Sequence, residues 1–239
     1  MLSWRDLLYS IWRLFRLSFR IAFHRKLLFM SAGILAYYGV LYALIVFRPG
    51  EGFSAEQAQY ILVEIPGAVL AIYLTMDLVA GERDKNTLEV LFSTSSTHYE
   101  IWTLRMISIY GVLAVTLMLM TTISYFFFAE FPFLLGGINA ILPAFFVANL
   151  TFYFAVSYRS SNAAGMLSLG MLVLALMTAE PLRHTGYFLF LNPLDSPIET
   201  DVTIWEDRVL INRLGVFVLG CMLLFLALRR MERRERLLA

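Results

Sequence analysis

The chain is short of both charge and cysteine. Only 15% of its 239 residues are Asp, Glu, Lys or Arg, while 59% are hydrophobic, and a soluble domain of this length would carry more charge. The single cysteine, Cys221, lies in an apolar run, where it cannot form an intrachain disulfide and is expected to act as a small apolar residue. These shortages predict a membrane protein.

The chain also lacks the common motifs of catalysis and nucleotide binding. No glycine is followed by lysine, so there is no P-loop, and no Gly-x-Ser-x-Gly motif occurs. The three histidines, His24, His98 and His184, are isolated from other residues at metal-ligand spacing. We therefore expect no enzyme activity, bound cofactor or metal in this chain, and no nucleic-acid partner.

What the chain has in abundance is long apolar runs. A transmembrane helix needs about 20 mostly apolar residues, and no internal repeat is evident. The sequence predicts a single all-α domain over 1–239, a polytopic membrane protein with six transmembrane helices. These predicted spans cover about 27–47, 61–79, 101–128, 138–157, 163–179 and 209–228.

Small residues at four-residue spacing predict close helix contacts in two of these spans. The first span contains Ala32 and Ala36, and the fourth contains Ala140, Ala144 and Ala148. These alanines would let neighbouring backbones approach closely.

Residues 2–23 form an amphipathic pattern before the first span. Apolar residues recur at helical spacing, while Arg13, Arg16 and Arg20 share another face. Arginines beside aromatic residues favour a helix lying in the headgroup region of an anionic leaflet over a helix of a soluble core. A secretory signal peptide is disfavoured, because the apolar run is too long and no small-residue cleavage site follows.

The distribution of basic residues predicts the orientation. Fifteen of the 19 Lys and Arg residues fall on one side if six spans alternate, and that side includes both termini. By the positive-inside rule both termini are cytoplasmic. Residues 81–105 would then be cytoplasmic and the polar stretch 180–208 external.

Ionisable and polar residues within the spans are candidates for a translocation path. The candidates are Glu64, Thr121, Tyr125 and Asn149, because burying such groups in a membrane is costly. The alternative for Glu64, and for Asp77, is that the side chain reaches the interface. For the other three, the alternative is hydrogen bonding between helices.

Three capping boxes predict helix starts, at Ser54–Gln57, Thr97–Glu100 and Thr203–Glu206. Pro66 and Gly67 lie inside the second span and are expected to kink it.

The longest polar interruption of the chain's middle, 81–105, contains a short amphipathic helix. Leu88, Leu91 and Phe92 fall on one face, at i, i+3 and i+4, whereas Asp84, Lys85 and Glu89 are mostly turned away. We expect a membrane span, a polar surface helix over about 81–97, a turn and another span.

This segment resembles the cytoplasmic signature of type-2 permease subunits of ATP-binding-cassette transporters, an export-type class. The match covers 82–94 and 99–101 in detail and the whole chain in outline. Asn86 stands where Gly is usual and Ser96 near the usual Pro. The resemblance assigns coupling to an ATPase to Glu82, Arg83, Asp84, Asn86, Thr87, Leu88, Glu89, Leu91 and Phe92.

The resemblance implies a division of labour between chains. A separate cytoplasmic ATPase subunit would bind ATP and Mg²⁺ and dock on the coupling helix, and a second permease chain, identical or related, would complete the path in the cell membrane among its lipids. The implied function is export of an amphiphilic or hydrophobic substrate. A force-transmitting subunit without transport and an ATP-independent channel or secondary transporter remain the alternatives.

Overall fold

The computed structural model describes residues 4–47, 52–79, 98–158, 160–183, 185–197 and 201–231. The described residues form helices and no strand. The helices are α1 (Trp4–Phe47), α2 (Ala55–Val79), α3 (His98–Phe127), α4 (Phe133–Tyr158), α5 (Ser161–Met177), α6 (Ala179–Leu182) and α7 (Val202–Met231).

Five helices are long and apolar enough to span a membrane: the Lys26–Phe47 part of α1, α2, the Trp102–Phe127 part of α3, α4 and α7. This architecture is compatible with a polytopic membrane protein. The helix at the fifth predicted span, α5, has 17 residues and rises about 26 Å, less than the roughly 30 Å of a hydrocarbon core.

The first helix is continuous. The segment 2–23 and the span 27–47 were expected as separate elements, but α1 runs through both for 44 residues. No proline or glycine lies near the expected junction to interrupt it. Over 26–47, only Met30 and Tyr38 are buried, and Ala32 and Ala36 are exposed. Ala32 and Ala36 therefore make no close helix contact within the described part of the chain.

The fourth helix lies at the centre of the bundle and packs against α2, α3, α5 and α7. Its small residues Ala140, Ala144 and Ala148 are at most 1% exposed, as the spacing predicted. Gly220 of α7 faces Phe145 so closely that an added Cβ would lie 2.6 Å from the ring. Small residues therefore determine how closely α4 and α7 approach.

The second helix changes its winding around Pro66. Residues Ala58–Glu64 form a π-helix, and the N–H of Ile65 donates to the carbonyl of Tyr60. Proline has no N–H to donate to a carbonyl of the preceding turn. Two hydroxyls of α1 supply the missing donors: Tyr37 donates to the carbonyl of Ile61 and Tyr38 to that of Leu62, each at 2.7 Å.

Residues 185–197 pack against one end of the bundle, which we call the 185–197 end. Phe188, Phe190 and Leu191 are buried there, and both phenylalanine rings contact the ring of Tyr60, with centroids 6.3 and 5.9 Å apart. Tyr187 is 89% exposed. The predicted polar stretch 180–208 is thus largely a packed segment followed by the start of α7.

The predicted helix starts have three different outcomes. Ser54 and Gln57 form the capping box at the start of α2, as predicted. The box at Thr203 is wrong, because α7 already begins at Val202 and the carboxylate of Asp201 accepts from the N–H of Thr203. Thr97 lies outside the described residues.

Candidate functional site

The coupling residues predicted from the sequence, Glu82 to Phe92, lie outside the part of the chain that the structure describes. The described helices end and resume on either side of them, α2 at Val79 and α3 at His98. The structure does describe the polar contacts that α2 makes through Glu64 and through Asp77.

A group of buried polar side chains lies near the 185–197 end of the bundle. It consists of Gln59 and Glu64 of α2, Asn139 of α4, and Asn212 and Arg213 of α7, each at most 8% exposed. We call this group the Glu64–Arg213 cluster. It joins three of the long helices through polar contacts inside an apolar core.

Glu64 is the acidic member of the cluster and is 1% exposed. Its Oε1 accepts from Gln59 Nε2 at 3.2 Å and from Asn139 Nδ2 at 2.9 Å. Residues five apart on an α-helix point about 140° away from each other. The wider π-helical turn brings Gln59 back to the face of Glu64, so the local winding of α2 builds this contact.

Arg213 is the basic member and is 6% exposed. Its Nη2 lies 3.6 Å from Glu64 Oε1, and its Nε donates to Asn139 Oδ1 at 2.6 Å. Asn139 therefore bridges the two charged residues: its amide N–H donates to Glu64, and its side-chain oxygen accepts from Arg213.

The cluster also holds residues 185–197 by their backbone. Arg213 donates to the carbonyls of Leu189 and Leu191, at 2.9 and 2.8 Å. Its neighbour Asn212 donates to those of Gly186 and Phe188, at 2.9 and 3.0 Å. These four carbonyls belong to an irregular segment, which lacks the internal hydrogen bonds of a helix. Side chains of α7 supply the donors that the carbonyls need.

Further contacts join the end of the same segment, near Asn192 and Asp195, to the start of α2 and to Arg183. Asn192 Nδ2 donates to the carbonyl of Glu56 at 3.1 Å. Arg183 forms ion pairs with Asp195 and, at 3.6 Å, with Glu56. The start of α2 and the third turn of α7 thus both hold the 185–197 segment, and a relative movement of these helices would strain it.

Removing either charged member of the Glu64–Arg213 cluster would leave the other as an unpaired buried charge. A buried ion without a partner costs several kcal/mol, of the order of 3–5 when one member of a pair is removed. Glu64 and Arg213 supply each other's counter-charge, while the amides of Gln59 and Asn139 supply hydrogen bonds. Glu64 Oε2 has no hydrogen-bond partner among the described residues.

The structure places the four predicted path residues in separate environments. Glu64 belongs to the buried cluster and does not reach the helix end. Thr121 donates to the carbonyl of Leu117 in its own helix. Asn149 accepts from Tyr110 of α3 at 2.5 Å, which is a contact between helices. Tyr125 contacts the rings of its neighbours.

The opposite end of α2 carries a smaller polar contact. Lys26 of α1 lies 2.8 Å from Asp77, and the hydroxyl of Ser161 at the start of α5 also bonds Asp77. Asp77 stands four residues before the predicted coupling segment begins at Gly81. Three helices therefore meet next to that segment.

Sequence reasoning missed most of the cluster. The positive-inside pattern assigns Arg213, with Arg48, Arg183 and Arg208, to the external side, and it does not connect Gln59, Asn139 or Asn212 with Glu64. A signal was present, because Asn212-Arg213 lies inside an apolar run, and a charged residue in such a run needs a partner. What the sequence could not supply was the π-helical turn that aims Gln59 at Glu64.

Among the residues that the structure describes, no group of three or more His, Cys, Asp or Glu could hold a metal ion. Comparison with known proteins gives no match to any family, to any curated protein or to any solved structure.

Proposed function

We propose that this chain is the permease subunit of a type-2 ATP-binding-cassette transporter, which exports an amphiphilic or hydrophobic substrate across the cell membrane. The observation that carries the proposal is the residue pattern of 82–101, which falls between the apolar helices α2 and α3. A separate cytoplasmic ATPase binds ATP and Mg²⁺ and docks on this segment. A second permease chain completes the path, and both termini are cytoplasmic.

The contacts of α2 support this function. Near its end at Val79 α2 bonds α1 and α5 through Asp77, and thirteen residues earlier it bonds α4 and α7 through Glu64. A push on the end of α2 at Val79 would pass along this helix to the Glu64–Arg213 cluster and so to residues 185–197. Helices joined by polar contacts at two places along their length suit the transmission of force across a membrane.

The test is co-purification of an ATPase with the chain from its native membrane. Leu88→Asp/Phe92→Asp places two charges on the apolar ridge that would dock on the ATPase, and loss of the ATPase from this folded variant is expected. Val90→Asp is the matched control, since it also adds a charge at an apolar residue but about 160° around the helix from Leu88 and Phe92, and it is expected to retain the ATPase.

A negative result is equally informative. If the unaltered chain brings down no ATPase under gentle conditions, an ATP-independent channel or secondary transporter becomes the better account. If an ATPase is retained but no candidate substrate changes its hydrolysis rate, the force-transmitting function gains support over export.

A further inference from the structure

The first helix is attached to the second by polar contacts at two places. Tyr37 and Tyr38 donate to the carbonyls of the π-helix. Lys26 pairs with Asp77 at 2.8 Å and lies 5.6 Å from the ring centroid of Tyr73. The eleven positions from Lys26 to Tyr37 rise about 16–17 Å along α1. Between these two attachments the helices are separated by a groove.

This α1–α2 groove has a volume of about 600 Å³ and an almost wholly apolar lining. Phe29, Met30 and Ile34 of α1 form one wall, and Val69 and Leu70 of α2 form the other. Gly33 widens it, since a Cβ at this position would have nothing within 4 Å. The groove is open to the side, toward the surroundings of the bundle.

We propose that the α1–α2 groove binds one acyl chain of an anionic phospholipid, with the phosphate at the Lys26 end. An extended acyl chain is apolar, narrow and comparable in length to the distance between the two attachments. Lys26 is paired with Asp77, but the sequence before the groove adds Arg20 and Arg25 and has no acidic residue over 7–25, so the net charge of these residues is positive. Basic residues at this end complement a negative headgroup.

A helix from a second copy of the chain, about 10 Å wide with its side chains, is the other occupant that the test below distinguishes. An acyl chain is narrower than this, and the proposal needs only that α1 and α2 lie in a membrane. It does not depend on an ATPase partner.

Two glycines of α1 allow a matched test. Gly33→Leu fills the groove, whereas Gly39→Leu adds the same side chain where a Cβ also has nothing within 4 Å but outside the groove lining. The purified chains are stripped of lipid and titrated with dioleoylphosphatidylglycerol or dioleoylphosphatidylcholine, and bound lipid and oligomeric state are read by native mass spectrometry.

We expect one tightly bound phosphatidylglycerol on the unaltered chain and on Gly39→Leu, at least tenfold weaker binding by Gly33→Leu, and weaker binding of phosphatidylcholine. Val69→Trp, which fills the groove from α2, is expected to act like Gly33→Leu and serves if that variant loses its helix content.

Equal binding by the filled and unfilled chains, or no retained lipid, would overturn the proposal. Equal affinity for the two lipids would overturn its anionic part. If filling the groove converts a dimer to a monomer and leaves lipid binding unchanged, the groove is an interface between copies. The ATPase co-purification is a separate measurement, so either proposal can fail alone.

Discussion

Arg213 shows how a guanidinium is accommodated in the apolar interior of this bundle. It contacts one carboxylate, one side-chain amide and two backbone carbonyls. The planar fork of arginine suits such divergent acceptors, and lysine would not reproduce it. Arg213 is thus both a counter-ion for Glu64 and an anchor for an irregular segment, and these two roles can be separated by mutation.

Arg213→Met is expected to destabilise the protein by about 3–5 kcal/mol, because Glu64 is left as an unpaired buried charge and two carbonyls lose their donors. The measurement is unfolding by denaturant in detergent micelles. Adding Glu64→Gln removes the unpaired charge but not the loss at Leu189 and Leu191, so the double variant should recover only part of the stability. Complete recovery would show that the carbonyl contacts contribute nothing.

Tyr38→Phe tests the donors that replace the missing N–H of Pro66. The hydroxyl of Tyr38 contacts the carbonyls of Leu62 and Met120 and the hydroxyl of Ser124. Its removal is expected to cost about 1–3 kcal/mol, since a buried acceptor loses its partner. Tyr42→Phe, at a position 51% exposed, should change the free energy of unfolding by under about 0.5 kcal/mol. Equal effects of the two variants would contradict this interpretation.

At the scale of helices, the winding of α2 and the spacing of α4 from α7 position the cluster. The π-helical turn aims Gln59 at Glu64, and Gly220 lets α7 approach α4. The ring of Phe145 that faces Gly220 also stacks on Phe217, with centroids 5.5 Å apart. The Phe145 ring therefore has little room to move aside. The close approach of α4 and α7 depends on Gly220 having no side chain.

Gly220→Ala is expected to destabilise the bundle by about 1–3 kcal/mol, because the new methyl group would overlap Phe145. Gly215→Ala in the same helix is the control. A Cβ there has nothing within 4 Å, and alanine is the better helix former, so stability should stay the same or rise. The measurement is the free energy of unfolding of both variants in the same detergent. An unchanged value for Gly220→Ala would mean that Phe145 repacks freely.

The sequence predicted elements better than it predicted contacts. Apolar length located the helices, and the alanine spacing of α4 identified a packed face. The same spacing at Ala32 and Ala36 did not, because a small-residue stripe shows that close contact is possible but not that a neighbour is there. The cap of α7 was predicted at Thr203, two residues after Asp201, whose carboxylate accepts from the N–H of Thr203 and provides the cap.

The cluster was the least predictable part, for a physical reason. Glu64 was recognised as unusual, but its partner lies 149 positions away in the sequence, and their meeting depends on the packing of α2, α4 and α7. The coupling segment is the reverse case. Its residues carry a local pattern that can be recognised from the sequence, and their geometry lies outside the described residues.

For the whole molecule, burial is unequal among the long helices. α4 is surrounded by other helices, whereas α7 and the Lys26–Phe47 part of α1 present most of their apolar side chains outward. Apolar surface of this extent is typical of a lipid environment or of contact with further protein. Among the described residues, Lys26 and Arg230 lie at the end opposite to 185–197, whereas Arg183 and Arg213 lie at the 185–197 end. The basic residues of the whole sequence predict that the end carrying Lys26 is cytoplasmic.

Cysteine labelling tests that orientation. In a Cys221→Ser background, Tyr187→Cys should react with a membrane-impermeant maleimide added to intact cells, since Tyr187 is 89% exposed. Arg236→Cys should react only after the membrane is opened, because the C-terminal arginines are expected inside. The opposite pattern would invert the topology and remove the cytoplasmic coupling helix from the proposal.

The backbone contacts that fix residues 185–197 affect which substitutions this surface of the protein can accept. Arg213 and Asn212 donate to backbone carbonyls of this segment, which every amino acid possesses. Exposed positions such as Tyr187 can therefore be replaced while the path of the segment is kept. Related chains could thus diversify the chemistry of this surface without altering the helices beneath it, and an engineer could graft new side chains there on a fixed frame.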